Sequence, residues 1–343
     1  DRWIAIKKFL FALVLFIALV FLLTRFSEVS EMVTILSRAK PEFLILALLL
    51  AGLWITNMGL SYSVAYRLVG LKESLGHMIV LSSAAINFLG VIAPSAGISS
   101  LALFISDGKE KGHPSSRVTI ACMFYILFDY FGLFLTALAG LLILLHRDKL
   151  GWAEIAATCL LGLIVAGLVL LLYLSIKHLD RLKKFLSWVI NAINSVIHLV
   201  AKKTSINEAQ MIHFAEEIRL GAQAIQDDYR RLLIPVFLAL TNKALLILIL
   251  AMLFLGFGFP VDWGIVVSGF TLGNLFTIVS PTPSGIGVVE GMMTLALEML
   301  GIEIEAATIL TLSFRAISFW IPFFVGMIAF RALSSRRETV SST

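Results

Sequence analysis

Four charged side chains stand where the sequence leaves them almost nothing polar to meet: Asp129 in "LFDYF", Lys243 in "LTNKALLI", Glu290 in "VVEGMM" and Arg315 in "LSFRAISF". An Arg in the middle of an apolar helix costs about 3 kcal/mol on insertion scales unless it is paired or hydrated, so Arg315 requires a partner. Two readings stay open. Asp129 pairs with Arg315 and clamps two parts of the chain, or Arg315 holds the phosphate or carboxylate of a ligand; both hold if the pair breaks while the protein works. Lys243 lies roughly 15 Å inside its apolar run by helical rise, too deep to reach an interface by snorkelling. Glu290 is its candidate partner, although a Glu at the start of a helix also serves as a cap or dipole partner.

Two polar interruptions accompany these charges, "NFLGVIAPSAGISS" with Pro94 and Gly97, and "NLFTIVSPTPSGIG" with Pro281, Pro283, Gly285 and Gly287. Pro removes a backbone donor and Gly weakens a helix, so each interruption predicts two half-helices around a turn. Asn87, Asn274, Asn57 and Asn242 either satisfy backbone groups freed at the breaks or contact a ligand. Ser95, Ser99, Ser100, Thr282 and Ser284 fall where half-helix N-termini expose N–H groups, a geometry that binds anions, although such a turn also forms without one. Catalytic residues and metal ligands are not expected: the six His are scattered, Cys122 and Cys159 are isolated, and no Ser or Cys stands beside an evident base. No cofactor is expected, and the chain is not expected to be an enzyme.

The elements that hold these groups are membrane helices. Of 343 residues 59% are apolar and 14% charged, with a mean hydropathy of +0.97, which excludes a soluble core. Full spans are expected at about 4–23, 43–66, 117–145, 153–176, 232–256 and 306–330. Nucleic acid is a poor partner for the net charge of +5, because no basic stripe is interleaved with exposed aromatics. Lys and Arg in the short loops place both termini in the cytoplasm, with the loops 25–40 and 146–152 fitting less well. The broken regions 74–106 and 262–300 then enter and leave on one side each, as re-entrant hairpins of opposite orientation, and 177–231 reads as an amphipathic cytoplasmic or interfacial segment.

The breaks repeat. Asn274 and Pro281 follow Asn87 and Pro94 by 187 positions, Asn242 follows Asn57 by 185, and Arg315 follows Asp129 by 186. The expected fold is therefore all-α and polytopic, six full spans plus two hairpins in an inverted-topology repeat. Its parts are a first helix and loop (1–40), unit one (41–146), a helix with the amphipathic segment (147–231), unit two (232–331) and a cytoplasmic tail (332–343). Inverted repeats build midplane sites that open first to one side and then to the other.

At "SPTPSGIGVVEGMMTLALEMLGI" and "AATILTLSFRAISFWIPFFVG" the chain resembles the lysylphosphatidylglycerol synthase transmembrane, or flippase-like, family. The resemblance rests on Pro281, Pro283, Gly285, Gly287, Glu290, the "LGI" turn and Arg315, and more loosely on "NFLGVIAPSAG" and Asp129. It implies eight membrane elements, two of them hairpins, and movement of lipids between leaflets. Two positions differ from the common pattern: the first turn reads "PSAGIS" without a charge, and Tyr125 and Ile126 replace a Glu-Arg pair. The ending "RALSSRRETVSST" leaves no soluble synthase domain in view, so aminoacyl transfer is not expected. The readings carried forward are a flippase or transporter for an anionic lipid headgroup, or a transporter of a soluble anion or ion-coupled solute. The partner is membrane lipid, a homodimer is compatible with such a chain, and the expected location is a prokaryotic plasma (inner) membrane.

Overall fold

The computed structural model describes residues 32–92, 97–147, 151–177, 229–279, 285 and 287–341. The expected span at 4–23 and nearly all of the amphipathic segment lie outside them. The described residues are helical and include no strand. In chain order they form α1 (Pro41–Leu68), α2 (Leu75–Ile92), α3 (Ile98–Glu110), α4 (Ser115–His146), α5 (Trp152–Lys177), α6 (Leu233–Gly256), α7 (Trp263–Val279), α8 (Val288–Met299) and α9, which runs from Ile304–Arg315 through Ala316–Trp320 into Ile321–Ser341. Five of these are long and apolar enough to cross a membrane. One is α2, which at 18 residues is longer than the half-helix expected of it. Two π-helical turns interrupt the ladder, Ser83–Leu89 within α2 and Ala316–Trp320 directly after Arg315.

The helix ends follow local chemistry. Pro41 opens α1 at a position whose N–H would be unpaired in any case. Asp262 caps α7, its Oδ1 accepting from the N–H groups of Gly264 (2.8 Å) and Ile265 (3.2 Å). Four helices, α1, α3, α6 and α8, end in the same glycine-terminated loop, in which a positive-φ Gly lets the next N–H reach back five residues: Leu71 to Tyr66, His113 to Gly108, Phe259 to Phe254 and Ile302 to Leu297. Gly258 stands 188 positions after Gly70, and Gly301 stands 189 after Gly112.

Each broken region folds into an antiparallel helix pair. In the first, Ser100 Oγ donates to Ala85 O (2.6 Å) and Ser99 Oγ to Leu89 O (3.3 Å), joining α3 to α2. The Ser100 bond satisfies a carbonyl inside the π-helical turn. In the second, Gly269 and Gly273 let α7 lie against Leu297 and Met293 of α8, where an added Cβ would meet those side chains at 2.5 and 2.9 Å. Small residues four apart commonly admit such close approach between membrane helices.

The pairs are embraced crosswise. Gly140 of α4 packs on Thr271 of α7, whose hydroxyl donates to Thr136 O (3.3 Å). Gly326 of α9, 186 positions after Gly140, packs on Ser83 O and Phe88 of α2, and Phe88 meets the rings of Phe323 and Phe330. Between them α1 and α6 run antiparallel, tied at one end by Lys40 N–H to Gly256 O (2.8 Å) and near the middle by Asn57 Nδ2 to Leu238 O (3.0 Å).

Arg147, one of the two basic residues in the loop that fits the charge rule poorly, is neutralised by Asp262, with Nη2 2.7 Å from each carboxylate oxygen. The Arg147 hydrogen bond holds the Asp262 carboxyl below its ordinary value. A second polar cluster knits the base of the first helix pair: Lys111 Nζ donates to Glu73 Oε2 (2.6 Å), His113 Nε2 lies 2.8 Å from Glu73 Oε1, and His77 Nε2 lies 2.8 Å from Asp107 Oδ2. Burial raises the Glu73 carboxyl, but the hydrogen bonds from Lys111 and His113 outweigh it and leave the group below its ordinary value. A depressed carboxylate contributes stability above the ordinary Glu range and loses it as the pH falls through its folded-state value. Acidification is therefore expected to lower the hydrogen-exchange protection factors of residues 107–113, taken relative to the intrinsic rate at each pH, about fivefold or more, with Glu73→Gln showing the low protection already at neutral pH. Exchange that ignores both changes would mean the cluster holds nothing together.

Candidate functional site

Close helix contact sets up the first ion pair. A Cβ on Gly132 would sit 3.0 Å from Ala239 O, so α4 and α6 nearly touch there. One turn away on each helix, Lys243 Nζ meets Asp129 Oδ1 at 2.7 Å. The second pair forms where the start of α8 faces α9: Arg315 Nε donates to Glu290 Oε1 (2.7 Å), while Glu290 Oε2 accepts the Gly287 N–H (2.7 Å). The guanidinium also lies over the Phe319 ring, 4.4 Å from its centre.

The expected pairings are thus corrected. Asp129 joins Lys243, not Arg315, and Glu290 joins Arg315, not Lys243. Depth along a helix is readable from position, but the direction a side chain faces depends on packing, and packing rotates each carboxylate toward the other cation. Glu290 is an acceptor at a helix start, as one reading held, and its ion partner is Arg315 and not the expected Lys243. In both pairs the cation is the more buried member: Lys243 is 8% exposed against 24% for Asp129, and Arg315 9% against 19% for Glu290.

Asp129 stands between two openings. On one side lies a cavity of about 440 Å³ enclosed by α1, α2, α3 and α4, with Tyr62, Tyr125, Tyr130, Cys122 and Phe104 on its wall and Asp129 the one charged residue lining it among the described residues. Ile98 (68% exposed) and Ile126 (42% exposed) stand at its rim, so it opens through an apolar flank of the bundle. On the other side a cleft of about 10 Å³ runs between α1, α4 and α6, lined by Ser61, Asn242 and Tyr125 among others. Tyr62 and Tyr125 stack with ring centres 3.9 Å apart and divide the two.

Other expected residues fall as follows. Asn57 Nδ2 and Asn274 Nδ2 donate to backbone carbonyls, the latter to Phe270 O at 2.9 Å, and Asn242 is buried. Asn87 is buried in the π-helical turn, and its Nδ2 has no partner among the described residues. Gly97, Gly285 and Gly287 adopt positive φ (86°, 72° and 82°), which an L side chain resists and a tight turn between half-helices needs. Pro94, Ser95, Pro281, Pro283, Thr282 and Ser284 lie outside the described residues. The cavity itself was missed from sequence, although the aromatic flanks of Asp129 in "YILFDYF" signal it. Among the described residues no group of three His, Cys, Asp or Glu could hold a metal ion.

Such a bundle, helical throughout its described residues and with paired charges buried inside long apolar helices, is an integral membrane protein. The chain matches the family described as "Lysylphosphatidylglycerol synthase TM region" over residues 9–326 and belongs to it. A "UPF0104 membrane protein" of Methanothermobacter thermautotrophicus is 22% identical over 303 residues, 88% of each chain.

Proposed function

We infer that this protein moves a lipid with an anionic headgroup between leaflets by alternating access, with the two broken regions acting as re-entrant hairpins of an inverted repeat. One observation carries the reading: the cavity beside the Asp129–Lys243 pair opens through an apolar flank, so acyl chains can stay in the bilayer while a headgroup enters. A route for a soluble anion would instead lead from the cavity to water. The crosswise packing of Gly140 and Gly326, the antiparallel run of α1 and α6, and the matching glycine ends support two like units in opposite orientation. The setting that fits is a prokaryotic plasma membrane with both termini cytoplasmic. Lys243 and Arg315 supply the positive charge, and each is covered by a carboxylate in this conformation. Lipid entry would displace Asp129 from Lys243 and loosen α4 from α6, one of several contacts between the two units.

Purified protein in phosphatidylcholine vesicles is expected to speed leaflet exchange of fluorescently labelled phosphatidylglycerol, read by dithionite quenching of the outer leaflet. Exchange equal to that of protein-free vesicles would overturn the reading, and uptake of labelled inorganic phosphate in its place would favour a soluble anion.

A further inference from the structure

The cavity poses a charge problem for the headgroup assigned to it. Its one charged lining residue among the described residues is a carboxylate, and the ammonium behind that carboxylate is almost covered. An anion entering this conformation meets Asp129 before Lys243 and is repelled. The repulsion ends if Asp129 takes up a proton: the carboxyl becomes neutral, Lys243 keeps its charge, and the ammonium is left to bind the phosphate. The balance is one proton bound by one carboxylate oxygen, one Lys–carboxylate attraction lost and one Lys–phosphate attraction gained. Proton plus monoanion carry no net charge across the membrane.

We propose that Asp129 is a proton-binding site and that the proton moves together with the anionic lipid.

Three observations beyond the pairing itself point to Asp129 and away from Glu290. First, Asp129 accepts one hydrogen bond, at Oδ1 from Lys243, and none at Oδ2 among the described residues, whereas Glu290 uses both oxygens, one on Arg315 and one on the Gly287 N–H. Of the two, only Asp129 thus leaves a carboxylate oxygen without a donor among the described residues. Second, Asp129 lines both the lipid-facing cavity and the narrow cleft behind it. That cleft, at about 10 Å³, is near the size that holds one water, and Ser61 and Asn242 offer the polar partners such a water needs. Its lining residues Ala65 and Pro235 lie toward the ends of α1 and α6 that carry Arg67 and Arg231. Third, the titratable groups around Asp129 are few: Lys243 from α6, Tyr62 from α1, and Tyr125, Tyr130 and Cys122 from α4 itself, with none from the cavity-lining residues of α2 and α3. Among the described residues none of the others is a second carboxylate that could take the proton in its place.

This coupling rests on the lipid-transport reading, and the test separates the two. The full chain is reconstituted in phosphatidylcholine vesicles holding pyranine, with labelled phosphatidylglycerol as the probe lipid. For one proton per lipid, a gradient of about one pH unit is expected to shift the leaflet ratio of the probe up to about tenfold toward the alkaline side. Probe movement is also expected to change the luminal pH in the wild-type protein. Exchange that ignores the gradient and leaves pyranine unchanged overturns the coupling and leaves the transport reading standing. No exchange under any condition overturns both. Asp129→Asn, which imitates the neutral carboxyl, is expected to exchange the probe without response to the gradient, and a wild-type response from it overturns the proposal. If that variant does not reconstitute, the wild-type pyranine trace still decides.

Discussion

Asp129→Ala and Lys243→Ala are each expected to lower stability by about 3–5 kcal/mol, while the double variant costs about 2 kcal/mol less than the two losses added. A single truncation leaves one charge buried without its counter-charge, and this usually costs more than the pair contributes. This shortfall is what separates a bonded pair from two independent sites, which would add their costs. Thermal unfolding of detergent-purified protein reads it, with a coupling of about 2 kcal/mol as the expected value. Additive losses would mean that the 2.7 Å contact between α4 and α6 contributes nothing. Because this pair joins the units, its removal is also expected to loosen helices far apart in sequence, read as faster hydrogen exchange in both α4 and α6.

Removing the members of the other pair is expected to have unequal effects. Arg315→Ala leaves Glu290 with the Gly287 N–H and the start of α8, a setting that accommodates a carboxylate. Glu290→Ala instead leaves a guanidinium that is 9% exposed without its carboxylate. Glu290→Ala is therefore expected to cost several kcal/mol of stability by the rule for broken buried pairs, and Arg315→Ala clearly less. Activity should run the other way: Arg315→Ala is expected to lower lipid exchange at least about tenfold with the protein still monodisperse, a barrier change of about 1.4 kcal/mol. Arg315→Lys should recover little of it, since Lys lacks the planar fork that reaches Glu290 while lying over Phe319. Equal destabilisation by both Ala variants, with exchange per folded molecule unchanged, would reduce Arg315 to a structural role.

Much of this was legible in the sequence. Spans expected at 43–66, 117–145, 232–256 and 306–330 fall in Pro41–Leu68, Ser115–His146, Leu233–Gly256 and Ile304–Ser335, because runs of that hydropathy have one stable form in a bilayer, whereas the run at 153–176 is helical over Trp152–Lys177 with a shorter apolar stretch, Glu154–Leu170. The four charged residues were legible for the same reason: a charge in such a run is costly enough to be conspicuous. Their partners were not. Asp129 chooses Lys243 because Gly132 admits Ala239 one turn away, a contact between residues more than 100 positions apart that no local pattern announces. The Glu73, His77, Asp107, Lys111 and His113 cluster went unread because its members come from two short stretches, 73–77 and 107–113, that meet only once α2 and α3 are paired, although Asp107 and Lys111 stand four apart.

Gly140 on Thr271 and Gly326 on Ser83 make a handshake in which α4 closes over the α7–α8 pair and α9 over the α2–α3 pair. Biosynthesis feels this directly. When the ribosome has finished residues 41–146, α2 still lacks the helix that covers Phe88, and that helix is not translated until some 180 residues later. The first unit must wait in the membrane, with the polar groups of its π-helical turn exposed to lipid or guarded by insertion factors, until Phe323 and Phe330 arrive. Either unit expressed alone is therefore expected to be degraded. The two expressed together as separate chains can rescue one another, because what each lacks is a surface and not a peptide bond.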